Sequence, residues 1–294
     1  MSSNQLIAVA GVTGNTGSAA AETVLEKGAR LRVIVRSEEK GAPWKERGAE
    51  VAVTDLTDGD SIAAALSGAD GAYLLSPPDL AAEDFLGNRK ALVDAAAAGI
   101  AKSGVPHVAY LSSVGAQHAD GTGVIRSAHS AEQTLGPLDA STTFIRAAYF
   151  IENWAAVLQA VTSDGVLPTM WTPTDHKIAQ VATRDIGRVA AEALLAGPKG
   201  NIHAIELAGP EDLSSEDVAA VLSDLTGRDV TVNAVPPEAQ VGMFTSFGAS
   251  QGVAENFHEM YRGLESGRVA WEGGAAEFAR GTTTARDVFV SILS

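Results

Sequence analysis

Three glycines carry the clearest chemical meaning in this chain. Leu6 to Ala10 is an apolar run of strand length, and Gly11, Gly14 and Gly17 follow it as G-x-x-G-x-x-G. From Ser18 the residues Ala19, Ala20, Ala21, Val24 and Leu25 recur at helical spacing until Gly28. A glycine turn between a strand and a helix start suits a dinucleotide pyrophosphate. Gly11 allows a tight turn, Gly14 puts no side chain between backbone and phosphate, and Gly17 lets helix and strand pack closely. The free N–H groups and the positive end of the helix dipole then face the phosphates. Thr13, Asn15 and Thr16 add side-chain hydrogen bonds. The competing reading is an ordinary glycine turn that only packs the first helix on the sheet.

Further residues sit where such a cofactor would extend. The second strand, Leu31 to Val35, ends at Arg36, with Lys40 four residues on. An acid at that strand end bonds the 2'-hydroxyl of NAD, whereas an arginine accommodates the 2'-phosphate of NADP. NADP(H) is therefore expected, with NAD possible; a merely solvated arginine would carry no such information. Asp55, after the third strand Glu50 to Val53, can accept from an adenine amino group, with Leu56 beside it, or can simply make a turn. Ser76-Pro77-Pro78 stops the fourth strand, Gly71 to Leu75, and should form one wall of the cleft. Ser112 and Ser113 follow the fifth strand, His107 to Leu111. His129 has the chemistry of a proton donor or a ribose anchor; its alternative is a helix-surface histidine paired with Glu132. Tyr149, at the exit of the sixth strand, is a substitute donor or a pocket wall.

Several chemistries are not supported. There is no cysteine, so thiolate catalysis and zinc–sulfur sites are out. No G-x-x-x-x-G-K-[ST] or G-x-S-x-G occurs, and His258-Glu259 lacks the second histidine of H-E-x-x-H. The remaining histidines are scattered, and no metal is expected. The formal net charge is -15, which repels nucleic-acid phosphate and anionic membranes. No basic segment precedes the first apolar stretch, and no apolar run reaches membrane-spanning length. A soluble, cytoplasmic monomer or homodimer acting on a small hydrophobic substrate is the expectation, with neither nucleic acid nor membrane as partner.

The elements that position these residues alternate strand and helix, which argues for an α/β fold with a doubly wound parallel sheet. Ligands in such sheets bind beyond the carboxyl ends of the strands, where the turn glycines, Arg36, Asp55, Ser76 and the serine pair collect. A helix is predicted over 60–66 with Asp60 as its cap, and a long alanine-rich helix over 81–102. Arg146 leaves the sixth strand, Thr142 to Ile145, and 165–176 reads as loop. Residues 1–150 form a Rossmann-type unit, with 177–207 returning to its sheet. Residues 151–176 and 208–294 form a smaller α/β lobe across a cleft. Trp154, Trp171, Met243, Phe244 and Phe247 are either its core or an apolar pocket for a planar substrate.

The GVTGNTG turn, Arg36, the serine pair, SAHSAEQTL, RAAYFIENW and VATRDIGRVAAEAL together resemble the NmrA-like family of atypical short-chain dehydrogenases/reductases. The chain looks similar to the quinone oxidoreductase and triphenylmethane reductase branches. The resemblance implies that Gly11, Thr13, Gly14, Asn15, Thr16 and Gly17 hold pyrophosphate and Arg36 the 2'-phosphate. Asp55 and Leu56 would flank adenine, Leu75 to Pro77 line the ribose side, and Ser112 lie near the nicotinamide. Tyr149, Phe150 and Asn153 would line the substrate end, with Phe150 also within the cofactor's reach; Ser113 and Trp171 are further candidate substrate contacts. Typical short-chain dehydrogenases carry Tyr-x-x-x-Lys after the fifth strand, yet no tyrosine or lysine lies between Val114 and Leu135. With the lysine position at His129, the tyrosine position is Ile125. The first functional reading is an NADPH-dependent reductase passing hydride to a quinone, dye or unsaturated carbonyl. The second is a non-catalytic NADP(H) sensor acting through a protein partner.

Overall fold

The computed structural model describes residues 4–274 and 276–294. The first half of the chain runs β1 (Leu6–Ala10), α1 (Asn15–Glu26), β2 (Arg30–Val35), α2 (Glu38–Glu46), β3 (Glu50–Val53), α3 (Gly59–Leu66), β4 (Gly71–Leu74), α4 (Phe85–Ser103), β5 (His107–Ser113), α5 (Arg126–Leu135) and β6 (Ser141–Ala147). The second half runs β7 (Tyr149–Phe150), α6 (Leu158–Asp164), β8 (Val166–Thr169), β9 (Ile178–Val181), α7 (Thr183–Ala196), β10 (Ile202–Ala208), β11 (Asp212–Leu213), α8 (Ser215–Thr226), β12 (Thr231–Ala234), α9 (Pro237–Ser246), α10 (Gln251–Glu265), β13 (Glu277–Arg280) and α11 (Ala285–Leu293). Among the described residues no helix is long and apolar enough to cross a membrane.

Eight strands form one parallel sheet in the order β3-β2-β1-β4-β5-β6-β10-β13. Every residue of β1 is buried, as a strand covered on both faces requires. One face packs Val9 and Val33 against Ala20 and Val24 of α1 and Ala190 and Ala191 of α7. The other packs Ala8 and Val108 against Ile62, Val93 and Leu135. The chain leaves β1 toward β2 on one side and β4 toward β5 on the other. The loops after β1 and β4 therefore diverge and open a crevice at the switch point.

A third core gathers Trp154, Leu158, Leu167, Trp171, Leu222, Tyr261 and Phe289. Around it lie a three-stranded sheet, β11-β9-β7, and a parallel pair, β12-β8.

Several expectations need correction. Asp58, not Asp60, caps α3, because its carboxylate accepts the Asp60 N–H. Arg146 lies inside β6, which is three residues longer than the predicted Thr142 to Ile145 and pairs on both edges. The predicted loop 165–176 contains β8, whose parallel partner lies over sixty residues away and leaves no local signal. The segment 177–207 does not return whole to the large sheet. Only β10 does, while β9 pairs with β7 and β11. Conversely β13, assigned by sequence to the smaller lobe, forms the far edge of the large sheet beside β10.

Candidate active site

One cavity of about 1180 Å³ follows the carboxyl ends of β1, β4, β5 and β6. Its wall includes Gly11, Thr13, Gly14, Asn15, Thr16, Leu75, Ser76, Pro77, Ser112 and Ser113, and further along Tyr149, Phe150, Asn153 and Trp171. These residues come from separate parts of the sequence, and the parallel sheet brings them to one edge.

The glycine turn has the geometry of a phosphate cradle. Gly11 has φ +71°, a conformation that favours glycine. A Cβ on Gly17 would lie 2.2 Å from the Gly11 carbonyl oxygen, so helix and strand meet there only without a side chain. At Gly14 a Cβ would meet nothing closer than 3.5 Å, and the space beside it is open. Helix α1 has no side-chain cap and no acid in its first turn. By contrast α3, α8 and α11 are capped by Asp58, Ser214 and Thr284 and carry acids there. The free N–H groups of α1 thus open on the cavity with their dipole uncompensated, an arrangement that fits a dinucleotide phosphate.

Other expected residues lie outside the cavity wall. Gly17 sits beneath it, packing the helix. Arg36 and Lys40 are exposed just past β2, and among the described residues neither makes an ion pair or side-chain hydrogen bond. Asp55 is exposed, and its carboxylate accepts the Thr57 N–H at 2.8 Å and hydroxyl at 2.7 Å. These bonds hold its pKa below the usual carboxylate range, and they make it a turn residue rather than an evident adenine contact. Leu56 lines a small separate hollow with Leu75, Ser76 and Pro77. His129 does not reach the cavity wall, and its Nδ1 is engaged by the Ala116 carbonyl at 2.8 Å. Nor does it pair with Glu132. Ile125, at the position matched to the missing tyrosine, does line the cavity.

Glu132 instead anchors a buried network that the sequence does not advertise. Arg146 grips it in bidentate fashion, Nε to Oε1 at 2.9 Å and Nη2 to Oε2 at 2.7 Å. The Ser112 hydroxyl, on the cavity wall, donates to the same Oε1 at 2.6 Å. Arg146 also donates to Glu272. Burial works against the charge on Arg146, but hydrogen bonds and attraction from the two carboxylates raise its pKa above the ordinary value. Buried Glu206 accepts the Glu272 N–H at 2.6 Å and the Gly273 N–H at 3.2 Å. This fixes the segment whose Val269, Ala270 and Trp271 close one side of the cavity.

Aromatic rings form the far wall. Trp171, Tyr261, Phe244 and Phe257 follow one another in near-parallel contact, with centroids 5.1 to 6.1 Å apart. Trp154 and Tyr149 meet Trp171 edge-on at 5.3 and 5.6 Å. Trp154, Phe244 and Phe247 line the cavity as well, whereas Met243 packs only into the core behind it. Tyr261 and Phe257 escaped the sequence reading; their i, i+4 spacing on α10 was the available signal. The Tyr149 and Tyr261 hydroxyls are 3.1 Å apart. Burial pushes both phenols above their usual pKa, and Tyr261 and Asn153 partly offset the rise at Tyr149. The neighbouring Tyr149 raises Tyr261 further.

The sequence model of the NmrA-like family matches residues 3–270, and the chain belongs to that family. It is 28% identical over 257 residues to the NAD(P)H azoreductase of Xenophilus azovorans, covering 87% of this chain and 86% of that one. The NADPH-dependent quinone oxidoreductase of Escherichia coli complexed with NADPH superposes with a TM-score of 0.80 at 22% identity, covering 98% of this chain and 100% of that one. The Citrobacter sp. triphenylmethane reductase complexed with NADP(H) gives a TM-score of 0.80 at 20% identity, over 97% and 99% of the chains. At such identities these two structures establish a shared fold.

Proposed function

We propose that the protein is an NADPH-dependent reductase acting on planar, electron-poor aromatic acceptors of the quinone, azo or dye class. The carrying observation is a single cavity that joins an uncapped glycine turn to an aromatic wall. The family and the azoreductase relative support the NAD(P)H-dependent reductase reading.

Gly11, Gly14 and the first-turn N–H groups of α1 hold the pyrophosphate, with Thr13, Asn15 and Thr16 beside them. Arg36, with Lys40 nearby, meets the 2'-phosphate, and Leu75, Ser76 and Pro77 line the ribose side. Ser112 donates its hydroxyl hydrogen to Glu132, which leaves only its lone pairs to meet the nicotinamide end. When bound, NADPH supplies the hydride. The protein's own task is orientation, exclusion of water and one proton. Residues of 151–176 and 208–274 supply the acceptor half, where Phe244, backed by the buried Tyr261 and Trp171, gives a planar ring an aromatic wall to lie along. Tyr149 Oη gives the proton to the reduced acceptor atom. Tyr261 then donates its own hydroxyl to the Tyr149 oxygen until solvent returns the proton. Electron-poor acceptors need less acid assistance than ketones, so a phenol without an adjacent lysine suffices.

The sensor reading draws on the missing Tyr-x-x-x-Lys pair, while the roomy aromatic cavity favours turnover. NADPH oxidation followed at 340 nm against quinones, azo dyes and cationic dyes, with NADH in parallel, separates the two. Saturable turnover that prefers NADPH supports the reductase. Tight NADPH binding without turnover of any acceptor would move the assignment to the sensor.

A further inference from the structure

Among the described residues Arg89 is the one arginine or lysine of the cavity wall that makes no ion pair. It extends from α4 in the stretch where Leu80 and Phe85 also line the cavity. Its Nη1 donates to the Ser76 carbonyl at 2.6 Å, and its guanidinium lies over the Phe85 ring at 5.4 Å. Its Nε is buried and bonds nothing. Among the described residues no carboxylate stands within ion-pair distance of it. The lysine on the wall, Lys177, is neutralised by Asp217 at 3.0 Å. Neighbouring Lys90 is likewise spent on Asp94, at 2.6 Å. A largely buried guanidinium without a counter-charge is costly, and burial lowers its pKa from the ordinary value. Asp79, Glu83 and Asp84 are close in sequence, yet among the described residues none pairs with it, and Asp84 instead caps α4 by accepting the Gly87 N–H.

We propose that Arg89 is an anion subsite of the acceptor cavity, and that the acceptor is a planar aromatic bearing a carboxylate or sulfonate. This rests on the reductase reading. The anion would fall on a planar, forked donor suited to carboxylate-type oxygens, while its ring lies along the apolar wall. A phosphate of the cofactor has the same chemistry. In the reductase reading the α1 N-terminus and Arg36 already serve the cofactor's phosphates, and because Arg89 bonds the ribose-side Ser76 loop the test reads NADPH affinity separately. The connection between α9 and α10 is tied down beside the stretch of Leu80 and Phe85, since Ser250 N–H and Oγ donate to the Leu80 and Ala82 carbonyls at 2.8 and 2.7 Å.

The test compares 1,4-naphthoquinone with 1,4-naphthoquinone-2-sulfonate as acceptors, and reads NADPH affinity separately by fluorescence titration. Loss of one charge-assisted hydrogen-bonded contact is worth about tenfold to a hundredfold. In Arg89→Gln, kcat/KM for the sulfonate relative to the neutral quinone should fall by that factor, chiefly through KM, and Arg89→Lys should recover part of it. An unchanged ratio, or a loss that follows NADPH affinity, would overturn the proposal and assign Arg89 to the cofactor or the Ser76 loop. Naphthalene-2-sulfonate and 2-naphthalenemethanol, titrated into the NADPH-loaded wild-type protein, provide an arm that needs neither variant nor turnover. Tighter, salt-sensitive binding of the sulfonate supports the subsite even if no quinone is reduced, and equal binding contradicts it.

Discussion

At Tyr149 and Arg36 single atoms decide the chemistry. Arg36 has no protein partner among the described residues, so its charge is available to a 2'-phosphate. Arg36→Asp should weaken NADPH about tenfold to a hundredfold while changing NADH little. Parallel titrations with the two cofactors check this, and equal losses would misplace the phosphate. Tyr149→Phe should lower kcat roughly tenfold to a hundredfold, at the low end of general-acid effects because the acceptors are electron-poor. Tyr261→Phe should cost less, since it only supports the Tyr149 oxygen. His129→Ala should leave kcat within a few-fold, because its ring is turned to the Ala116 carbonyl. A large kcat loss in that variant, with NADPH affinity intact, would return the proton donor to α5.

Helices and strands hold these atoms in place through contacts with no slack. A Cβ on Gly17 would fall at 2.2 Å from the Gly11 carbonyl. Gly17→Ala should therefore cost at least about 1–3 kcal/mol and weaken NADPH binding by shifting α1. Thermal denaturation and cofactor titration read the two effects. Arg146→Ala leaves Glu132 buried without its partner and should cost about 3–5 kcal/mol. Replacing both by apolar residues, Glu132→Leu with Arg146→Met, should restore much of that loss, and Ser112 would then lose its orienting acceptor. If single and double variants were equally unstable in urea, the ion pair would not be the reason for either.

The same contacts explain what could be read beforehand. Local patterns carried the glycine turn, the β1 to β6 alternation and the capped start of α8, because strand, turn and helix signals there lie within one segment. The pairs formed by β8 with β12 and by β13 with β10 were invisible, since their stability comes from partners far along the chain. The Glu132–Arg146–Glu272 network was missed for the same reason. Three ordinary charges at 132, 146 and 272 become one site only when α5, β6 and the segment before β13 converge. Arg89 stood out in no sequence pattern, and only its lack of a counter-ion marks it.

Across the whole molecule, burial of phenols makes a prediction that involves no ligand. All four tyrosines, Tyr73, Tyr110, Tyr149 and Tyr261, have pKa values raised by burial. The unfolded chain would ionise them near pH ~10. The folded protein holds those protons more tightly, so this contribution is fully present below that pH and is lost as pH rises above it. Urea denaturation should therefore show stability falling steeply above pH ~10, and a flat profile there would contradict the buried aromatic wall.

The central claim is that hydride leaves NADPH for an aromatic acceptor inside this cavity. Stopped-flow single turnover tests it most directly. The protein, preloaded with one equivalent of NADPH, is mixed with excess 1,4-naphthoquinone and followed at 340 nm. A stoichiometric loss of absorbance far faster than the uncatalysed reaction is expected, slowed roughly tenfold to a hundredfold in Tyr149→Phe. Bound NADPH that persists at the uncatalysed rate would contradict it.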